Sequence, residues 1–160
     1  MALKLVRVDD RLIHGQVVAV WLKAVGADRI IIVDDRTARD PFLTEVLTLA
    51  APPGVPVEVY DLAGGIERVA RAATDVEQVF VLVRSPIMAL RLREAGIPFD
   101  TLNVGGIGAG PGRKPLYKNI SANAEELEAM RALERAGTRV ELRIVPDDRG
   151  VAFASLDKGT

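Results

Sequence analysis

Short apolar runs rich in β-branched residues alternate with helix-length segments along this chain of 160 residues. Apolar runs of this length predict buried strands, and segments with an apolar stripe at helical spacing predict helices. The predicted strands cover residues 3–8, 29–33, 55–60, 78–83, 101–104, 116–120 and 139–145. The predicted helices cover residues 16–25, 41–50, 63–73, 86–95 and 124–136.

Alternation of this kind is typical of an α/β protein with a mostly parallel sheet and helices on both faces, because parallel strands need long crossover connections. The length suits one domain over residues 1–160, since about 150 residues per domain is a common size. The tail at 147–160 has a weak pattern, and we expect it to pack loosely or to serve an interface.

Charge and composition exclude several classes of protein. A net charge of -1 argues against nucleic acid or an anionic membrane as the main partner, because both attract basic surfaces. The absence of cysteine excludes disulfides and thiolate metal sites, and it fits a reducing cytoplasm. The apolar runs are far shorter than the ~20 residues of a membrane span, and a strand predicted near the first residue argues against a secretory signal.

Ligands of open parallel sheets bind beyond the carboxyl ends of the strands, so the strand exits are the candidate site. The tripeptide Asp-Asp-Arg follows three predicted strands, at residues 9–11, 34–36 and 147–149. For the second and third copies, strand exits and helix caps explain the aspartates. Only the first copy is followed by a histidine, His14, which is the one histidine of the chain.

His14 lies in a strand-to-helix turn suited to carrying a phosphoryl group. A neutral imidazole is a good nucleophile toward phosphorus, and the Arg11 guanidinium matches phosphate geometry. Backbone N–H groups of residues 12–16, including Gly15, can bind further oxygens. Either Asp9 or Asp10 can orient the ring or hold Arg11, with Arg7 in support. The alternative is that His14 only caps the helix or packs against it.

Other candidate motifs favour structural roles. The glycine-rich residues 105–112 lack the spacing of nucleotide-binding loops, so we expect a loop or hairpin connection. The basic residues that follow are either a solvated loop or a docking patch for an acidic partner: Arg113, Lys114 and Lys118. We expect Trp21 to pack in the core or in a dimer rather than to stack on a ligand. With one histidine and no cysteine, no metal site and no cofactor are expected.

The segment 6–17, Val-Arg-Val-Asp-Asp-Arg-Leu-Ile-His-Gly-Gln-Val, with Trp21 after it, resembles the signature of the enzyme IIB component of the mannose/fructose/sorbose family of the bacterial sugar phosphotransferase system. The resemblance extends along the chain to residues 50–54, 102–106, 112–114 and 139–143. Residues 107–110 depart from the bulkier pattern of that family, which bears on the shape of this loop and on partner choice.

The resemblance implies an open twisted sheet of about seven strands, mostly parallel, and a cytoplasmic phosphocarrier that works beside a membrane permease. His14 would accept phosphate at Nδ1 from a phosphohistidine of a separate IIA protein and pass it to a sugar entering through IIC and IID. Arg11 matches the arginine that holds the phosphoryl group, Asp9 and Asp10 match the acidic pair, and Ser85 falls in a polar loop whose hydroxyl can donate to phosphate.

The resemblance is compatible with a homodimer. A regulatory module of the same fold, which senses phosphorylation without transferring phosphate to a sugar, is the alternative function, and a transfer assay with membranes and sugars separates the two.

Overall fold

The computed structural model describes residues 3–157 and alternates strands with helices. In chain order the elements are β1 Leu3–Asp9, α1 Val17–Val25, β2 Arg29–Val33, α2 Asp35–Ala38, α3 Pro41–Ala50, β3 Val57–Tyr60, α4 Leu62–Ala73, β4 Val79–Val83, α5 Pro86–Glu94, β5 Thr101–Gly106, β6 Lys114–Tyr117, β7 Ile120–Ala122, α6 Ala124–Arg135, β8 Arg139–Leu142, β9 Val151–Ala152 and α7 Phe153–Leu156. None of the helices between residues 3 and 157 combines the length and apolarity of a membrane span.

Seven strands form the main sheet in the order β3-β2-β4-β1-β5-β8-β9. The pairings are parallel except that of β9, which runs antiparallel to β8. Strand β1 lies between β4 and β5. After β1 the chain forms β2 and β3 on one side, returns to insert β4 between β2 and β1, and then crosses to β5 and β8 on the other side. The carboxyl end of β1 is therefore a topological switch point, where open α/β sheets bind ligands. The predicted fold class is confirmed.

Side chains alternate between the two faces of the sheet and build two apolar layers. On one face, α1 and α3 cover the sheet with residues such as Trp21, Leu22 and Leu47. On the other face, α4, α5 and α6 contribute residues such as Leu92 and Met130. Helices on both faces leave the central strands inaccessible to water, and only the strand ends can carry a binding site.

The predicted strand at 116–120 is wrong. These residues span a two-stranded antiparallel hairpin outside the main sheet, in which Tyr117 pairs with Ile120. The chain reverses between them, and Lys118 adopts the left-handed conformation with φ 47°. Apolar residues on both sides of a tight turn resemble one continuous strand when only their pattern is considered.

The seventh strand of the main sheet comes instead from the tail that we expected to pack loosely or to serve an interface. Val151 and Ala152 pair with β8, and Phe153 is buried in the core. The expectation of loose packing is therefore wrong for residues 151–156. The sequence did not indicate this packing, because a two-residue strand and one aromatic residue are too short to produce a recognisable pattern. Residues 158–160 of that prediction lie outside the described residues.

The sequence prediction also lacked α2, which is only four residues long. Asp34 begins this helix, and its carboxylate accepts hydrogen bonds from the Thr37 backbone N–H and from the Thr37 hydroxyl. The capping interpretation of the second Asp-Asp-Arg copy is thereby confirmed.

A network of charged side chains ties α4 to the edge of the sheet. The Arg68 guanidinium is almost buried and donates to Glu58 Oε1 at 2.9 Å and to Glu77 Oε1 at 2.6 Å. Glu58 also accepts from Arg29 and from the Tyr60 hydroxyl. Despite the opposing effect of burial, the bond from Arg68 and these further bonds lower the pKa of Glu58 to about 2. The network favours the ionised carboxylate in the folded protein.

Replacing Glu58 is therefore expected to cost pH-dependent stability. Glu58→Gln lowers the free energy of unfolding at neutral pH by about 1–3 kcal/mol, because Arg68 loses a charged acceptor. The pKa of Glu58 is depressed on folding from 4.5 to about 2, so its contribution is complete above pH 4.5 and declines as the pH falls towards 2. Urea unfolding at several pH values measures this difference, with Glu45→Gln on the exposed side of α3 as control. A difference that is constant with pH would contradict the assignment.

Candidate active site at the carboxyl end of β1

A cleft of about 240 Å³ opens at the carboxyl end of β1, next to the exit of β5. Both exits are among those predicted to build the site. The cleft contains His14 together with Arg7, Asp9, Asp10, Arg11, Gly105, Gly106, Ile107, Gly108, Asn119 and Ile144. The first Asp-Asp-Arg copy and the glycine-rich segment therefore meet in one place.

The turn between β1 and α1 is anchored by two apolar side chains. Leu12 and Ile13 are buried in the layer beneath α1, and the Leu12 N–H donates to the Asp9 carbonyl at 2.9 Å. Leu12 has φ 56°, which is unusual for a residue with a branched side chain and is maintained here by its burial. Gly15 has φ 51° and is exposed. The anchored turn leaves His14 partly exposed in the cleft.

Asp9 orients the His14 imidazole. Its Oδ2 lies 2.8 Å from Nε2 of His14, and its Oδ1 accepts the Arg11 backbone N–H at 3.0 Å. The carboxylate is almost fully buried, whereas 19% of the His14 side chain is exposed. Of the two neutral tautomers of the ring, a carboxylate acceptor at Nε2 favours the one with the proton on Nε2 and the lone pair on Nδ1. Within residues 3–157, no hydrogen bond to Nδ1 is formed.

The Asp9 charge is balanced by Arg7, which is buried two residues earlier on the same strand. Arg7 Nη2 lies 3.3 Å from Asp9 Oδ2, and the guanidinium lies over the Trp21 ring at 5.2 Å. Burial lowers the pKa of Arg7, and the neighbouring Asp9 partly opposes this shift. Trp21 is itself buried and donates to the Ile144 carbonyl, so the expectation that it packs in the core is confirmed.

Asp10 plays a different part, although the sequence left the choice between Asp9 and Asp10 open. Asp10 Oδ2 accepts the Gly108 N–H at 2.8 Å, and the Asp10 N–H donates to the Gly106 carbonyl at 2.9 Å. The Asp10 carbonyl in turn accepts from Arg84 at 2.6 Å. Asp10 therefore connects the turn to the glycine-rich loop, and only Asp9 bonds to the imidazole.

Arg11 and the backbone of the turn supply positive charge that the protein itself does not neutralise. Arg11 is exposed, and no ion pair or hydrogen bond of its guanidinium is found among the described residues. The N–H groups of residues 13–16 likewise donate to no other described residue. Free donors of this kind beside an imidazole suit an anionic ligand with several oxygens.

The structure does not bring Ser85 into this cleft. Its hydroxyl accepts the N–H groups of Ile87 and Met88 and so begins α5. Ser85 lines a neighbouring cleft of about 460 Å³ together with Arg84 and Arg91. A serine before a proline is consistent both with a helix start and with a polar binding loop, which is why sequence alone could not separate the two.

The basic residues after the glycine-rich loop are partly committed to the fold. Arg113 pairs with Glu126 at 2.9 Å and donates to the Gly108 carbonyl, and Glu126 raises the pKa of Arg113. Lys118 lies 3.8 Å from Asp148. In the described part of the chain, no group of three or more carboxylate or imidazole side chains is arranged to hold a metal ion.

Comparison with known proteins identifies the relatives of this chain. Residues 3–158 match the family model of the PTS system sorbose subfamily IIB component. The sorbose-specific EIIB component of Klebsiella pneumoniae is 39% identical over 158 residues, which covers 99% of this chain and 95% of that protein. The mannose-specific EIIAB component of Escherichia coli K12 is 36% identical over 156 residues, which covers 98% of this chain and 48% of the longer relative.

A solved structure agrees with these matches. The crystal structure of the IIBSor domain of the Klebsiella pneumoniae sorbose permease superposes with a TM-score of 0.91 at 37% identity. The alignment covers 97% of this chain and 95% of that domain.

The site is predicted to require glycine at position 105, because a larger residue would occupy the space of the Arg7 guanidinium. A Cβ at this position would lie 1.9 Å from Arg7 Cζ, whereas a Cβ at Gly110 would lie 3.6 Å from its nearest neighbour, Arg113. Gly105→Ala is expected to lower the free energy of unfolding by about 1–3 kcal/mol, because the buried guanidinium must move. Gly110→Ala is expected to change it little.

Urea unfolding followed by fluorescence measures both variants. Trp21 is the one tryptophan of the chain and contacts Arg7, so its emission reports on the site directly. Equal stability and equal emission of the two variants would contradict the steric argument.

Proposed function

The chain belongs to the sorbose subfamily of IIB components of the sugar phosphotransferase system, and we propose that it carries a phosphoryl group on His14. In this proposal a phosphohistidine of a separate IIA protein is the donor, and a sugar entering through the IIC and IID membrane components is the acceptor. The observation that supports it best is the Asp9 carboxylate at Nε2 of a partly exposed imidazole whose Nδ1 is not hydrogen-bonded within residues 3–157.

The first transfer uses the lone pair of His14 Nδ1. Nδ1 attacks the phosphorus of the donor phosphohistidine, and the phosphorus–nitrogen bond of the donor breaks as the new one forms. The attacking ring gains positive charge, which the Asp9 carboxylate at 2.8 Å stabilises while it holds the Nε2 proton. Because Asp9 fixes Nε2 and with it the orientation of the ring, Nδ1 already points to the partner before transfer.

In this proposal the phosphoryl oxygens are bound by Arg11 and by the N–H groups of residues 13–16, which include that of Gly15. Phosphoryl transfer depends mainly on positioning and on positive charge around these oxygens. Arg11 is available for this task because it is exposed and its backbone N–H is fixed by Asp9 Oδ1. Among residues 3–157, neither Asp10 nor Ser85 forms a hydrogen bond with His14; Asp10 supports the loop and Ser85 begins α5.

In the second transfer, a hydroxyl oxygen of the sugar would attack the phosphorus as the bond to Nδ1 breaks, and the hydroxyl proton would pass to the released imidazole or to water. The phosphorus–nitrogen bond of phosphohistidine is labile, so the group keeps its transfer potential between the two steps. Two relatives carry names that fit these partners: the Escherichia coli relative is an EIIAB component, and the Klebsiella pneumoniae domain belongs to a sorbose permease. The proposed working place is the cytoplasmic side of such a permease.

His14 is expected to be the residue that carries the phosphoryl group. With the upstream phosphorelay and labelled phosphoenolpyruvate, the wild type takes up a label that is lost in acid and retained in alkali, and His14→Gln takes up none. Mapping under alkaline conditions is expected to place the group on Nδ1, because Asp9 occupies Nε2. Equal labelling of the two proteins, or a phosphoryl group on Nε2, would contradict the proposal.

Arg11 is expected to act in transfer and not in folding. Arg11→Gln slows phosphorylation by about 100-fold or more, because the phosphoryl oxygens lose their charged donor. The free energy of unfolding changes by less than about 0.5 kcal/mol, as is usual for an exposed side chain. Arg36→Gln is the matched control, since Arg36 is also exposed and stands third in another Asp-Asp-Arg copy. Rapid-quench kinetics measure both rates, and similar rates for the two variants would contradict the role of Arg11.

Transfer to sugar separates the carrier from a regulatory module. Membranes that contain IIC and IID, incubated with the phosphorylated protein and candidate sugars, are expected to yield sugar phosphate as the label leaves His14. A stable label in the presence of every sugar and membrane would favour the regulatory alternative.

A further inference from the structure

Asn103, a residue that the sequence did not single out, lies beside Arg7 in the middle of the sheet. The two are directly paired in the parallel register of β1 and β5, so their side chains lie next to each other on the same face. Both are buried, with Arg7 1% and Asn103 3% exposed. Neighbouring positions on this face carry apolar residues such as Leu82 and Ile32. A buried amide beside a buried guanidinium calls for a specific reason, because burial of polar groups is costly.

Every polar atom of the Asn103 side chain is used to hold this part of the structure. Its Oδ1 accepts from Arg7 Nη1 at 2.5 Å, and its Nδ2 donates to the Arg143 carbonyl at 3.0 Å. Arg7 Nη1 donates to the same Arg143 carbonyl at 3.1 Å. The three groups form a closed ring of hydrogen bonds, which fixes one end of the guanidinium.

The other surroundings limit the guanidinium on two sides but do not fix the direction of its nitrogens. The Trp21 ring covers it on one side. On another side lies Gly105, where the Cβ of any other residue would collide with it. Arg7 Nη2 is then left with one bond to Asp9, at 3.3 Å, while its Nε has no partner among the described residues. The hydrogen bond of the guanidinium to Asn103 is therefore much shorter than its bond to Asp9.

This arrangement matters for His14 because the two side chains share one oxygen. Asp9 Oδ2 receives His14 Nε2 at 2.8 Å and Arg7 Nη2 at 3.3 Å. Arginine prefers to bind a carboxylate through two parallel bonds. A guanidinium released from Asn103 could turn both nitrogens towards Asp9 and displace the imidazole or the Arg11 N–H from it. The bond to Nη1 prevents this and leaves the shorter contact to His14.

We propose that Asn103 is a positioning residue for phosphoryl transfer, which acts through Arg7 and Asp9 to hold the His14 ring with its proton on Nε2 and its lone pair on Nδ1. This inference rests on the proposed function of His14. Asn103 touches neither the imidazole nor the phosphoryl group; it determines where the Arg7 charge lies, and that charge determines which atoms of Asp9 remain available.

The test compares two variants of Asn103 that differ in the oxygen Arg7 requires. Asn103→Leu keeps a branched side chain and removes the acceptor, whereas Asn103→Asp keeps an oxygen within reach of Nη1 and loses only the Nδ2 donor to the Arg143 carbonyl. Imidazole ¹⁵N shifts report the tautomer without ambiguity, because His14 is the one histidine of the chain. The leucine variant is expected to lose the predominance of the Nε2–H form, and the aspartate variant to keep it.

Phosphorylation from IIA is expected to follow the tautomer. Asn103→Leu lowers kcat by about 10- to 100-fold, the range associated with a misplaced catalytic group, and leaves the KM for IIA little changed. Asn103→Asp keeps most of the wild-type kcat. If the leucine variant does not fold, Asn103→Ser replaces it, since its hydroxyl is too short to reach Nη1.

Arg68→Met is the control for lost stability without a change at the site. Arg68 is also a nearly buried arginine in an ion-pair network, but its partners Glu58 and Glu77 do not line the His14 cleft. This variant is expected to be less stable and to keep the wild-type tautomer and kcat. If Arg68→Met changed the tautomer as much as Asn103→Leu, general destabilisation would explain both and the proposal would be wrong.

The failure of this inference differs from the failure of the proposed function. A wild-type tautomer and a wild-type kcat in Asn103→Leu would overturn the role of Asn103 while leaving His14 as the phosphorylated residue. A His14 that is never phosphorylated would overturn the phosphocarrier proposal and the role in transfer together, even if the ¹⁵N shifts still showed that Asn103 controls the ring.

Discussion

The buried ion pair of Arg7 and Asp9 is the interaction on which this site depends. Two opposite charges are enclosed at the end of the central strand, where removal of either one would leave the other buried without compensation. Burial lowers the pKa of Arg7, and the neighbouring Asp9 partly opposes that shift. The pair shares Asp9 Oδ2 with His14 Nε2, and this contact orients the ring.

The residues beside the Arg7–Asp9 pair leave space for its two charged side chains. Gly105 lacks the Cβ that would collide with the guanidinium, and a Cβ on Gly106 would come within 3.1 Å of Asp9 Oδ1. Trp21 covers the guanidinium from α1. The two glycines of β5 and the Trp21 ring thus leave room for two charged side chains inside an otherwise apolar layer. The glycines of this segment accommodate side chains and do not form a nucleotide-binding loop.

Local patterns in the sequence predicted much of the fold and the part of the site that is continuous in the chain. The alternation of strands and helices predicted the parallel sheet, and the segment from Asp9 to Gly15 predicted a turn with an imidazole among charged groups. The pattern was misleading where elements were very short: the hairpin around Lys118, the four-residue α2 and the two-residue β9 have too few residues for periodicity to be recognised.

By itself, the sequence determined that this is an α/β protein with a candidate nucleophile at a strand exit, because hydrophobic period and residue chemistry are local properties of the chain. Only the tertiary structure decided that Asp9 and not Asp10 bonds to the imidazole, that Ser85 faces a different cleft, and that Asn103 holds Arg7. Those choices depend on strand register and on which side chain shares a face with another, and residues 96 positions apart become neighbours only when β1 and β5 pair.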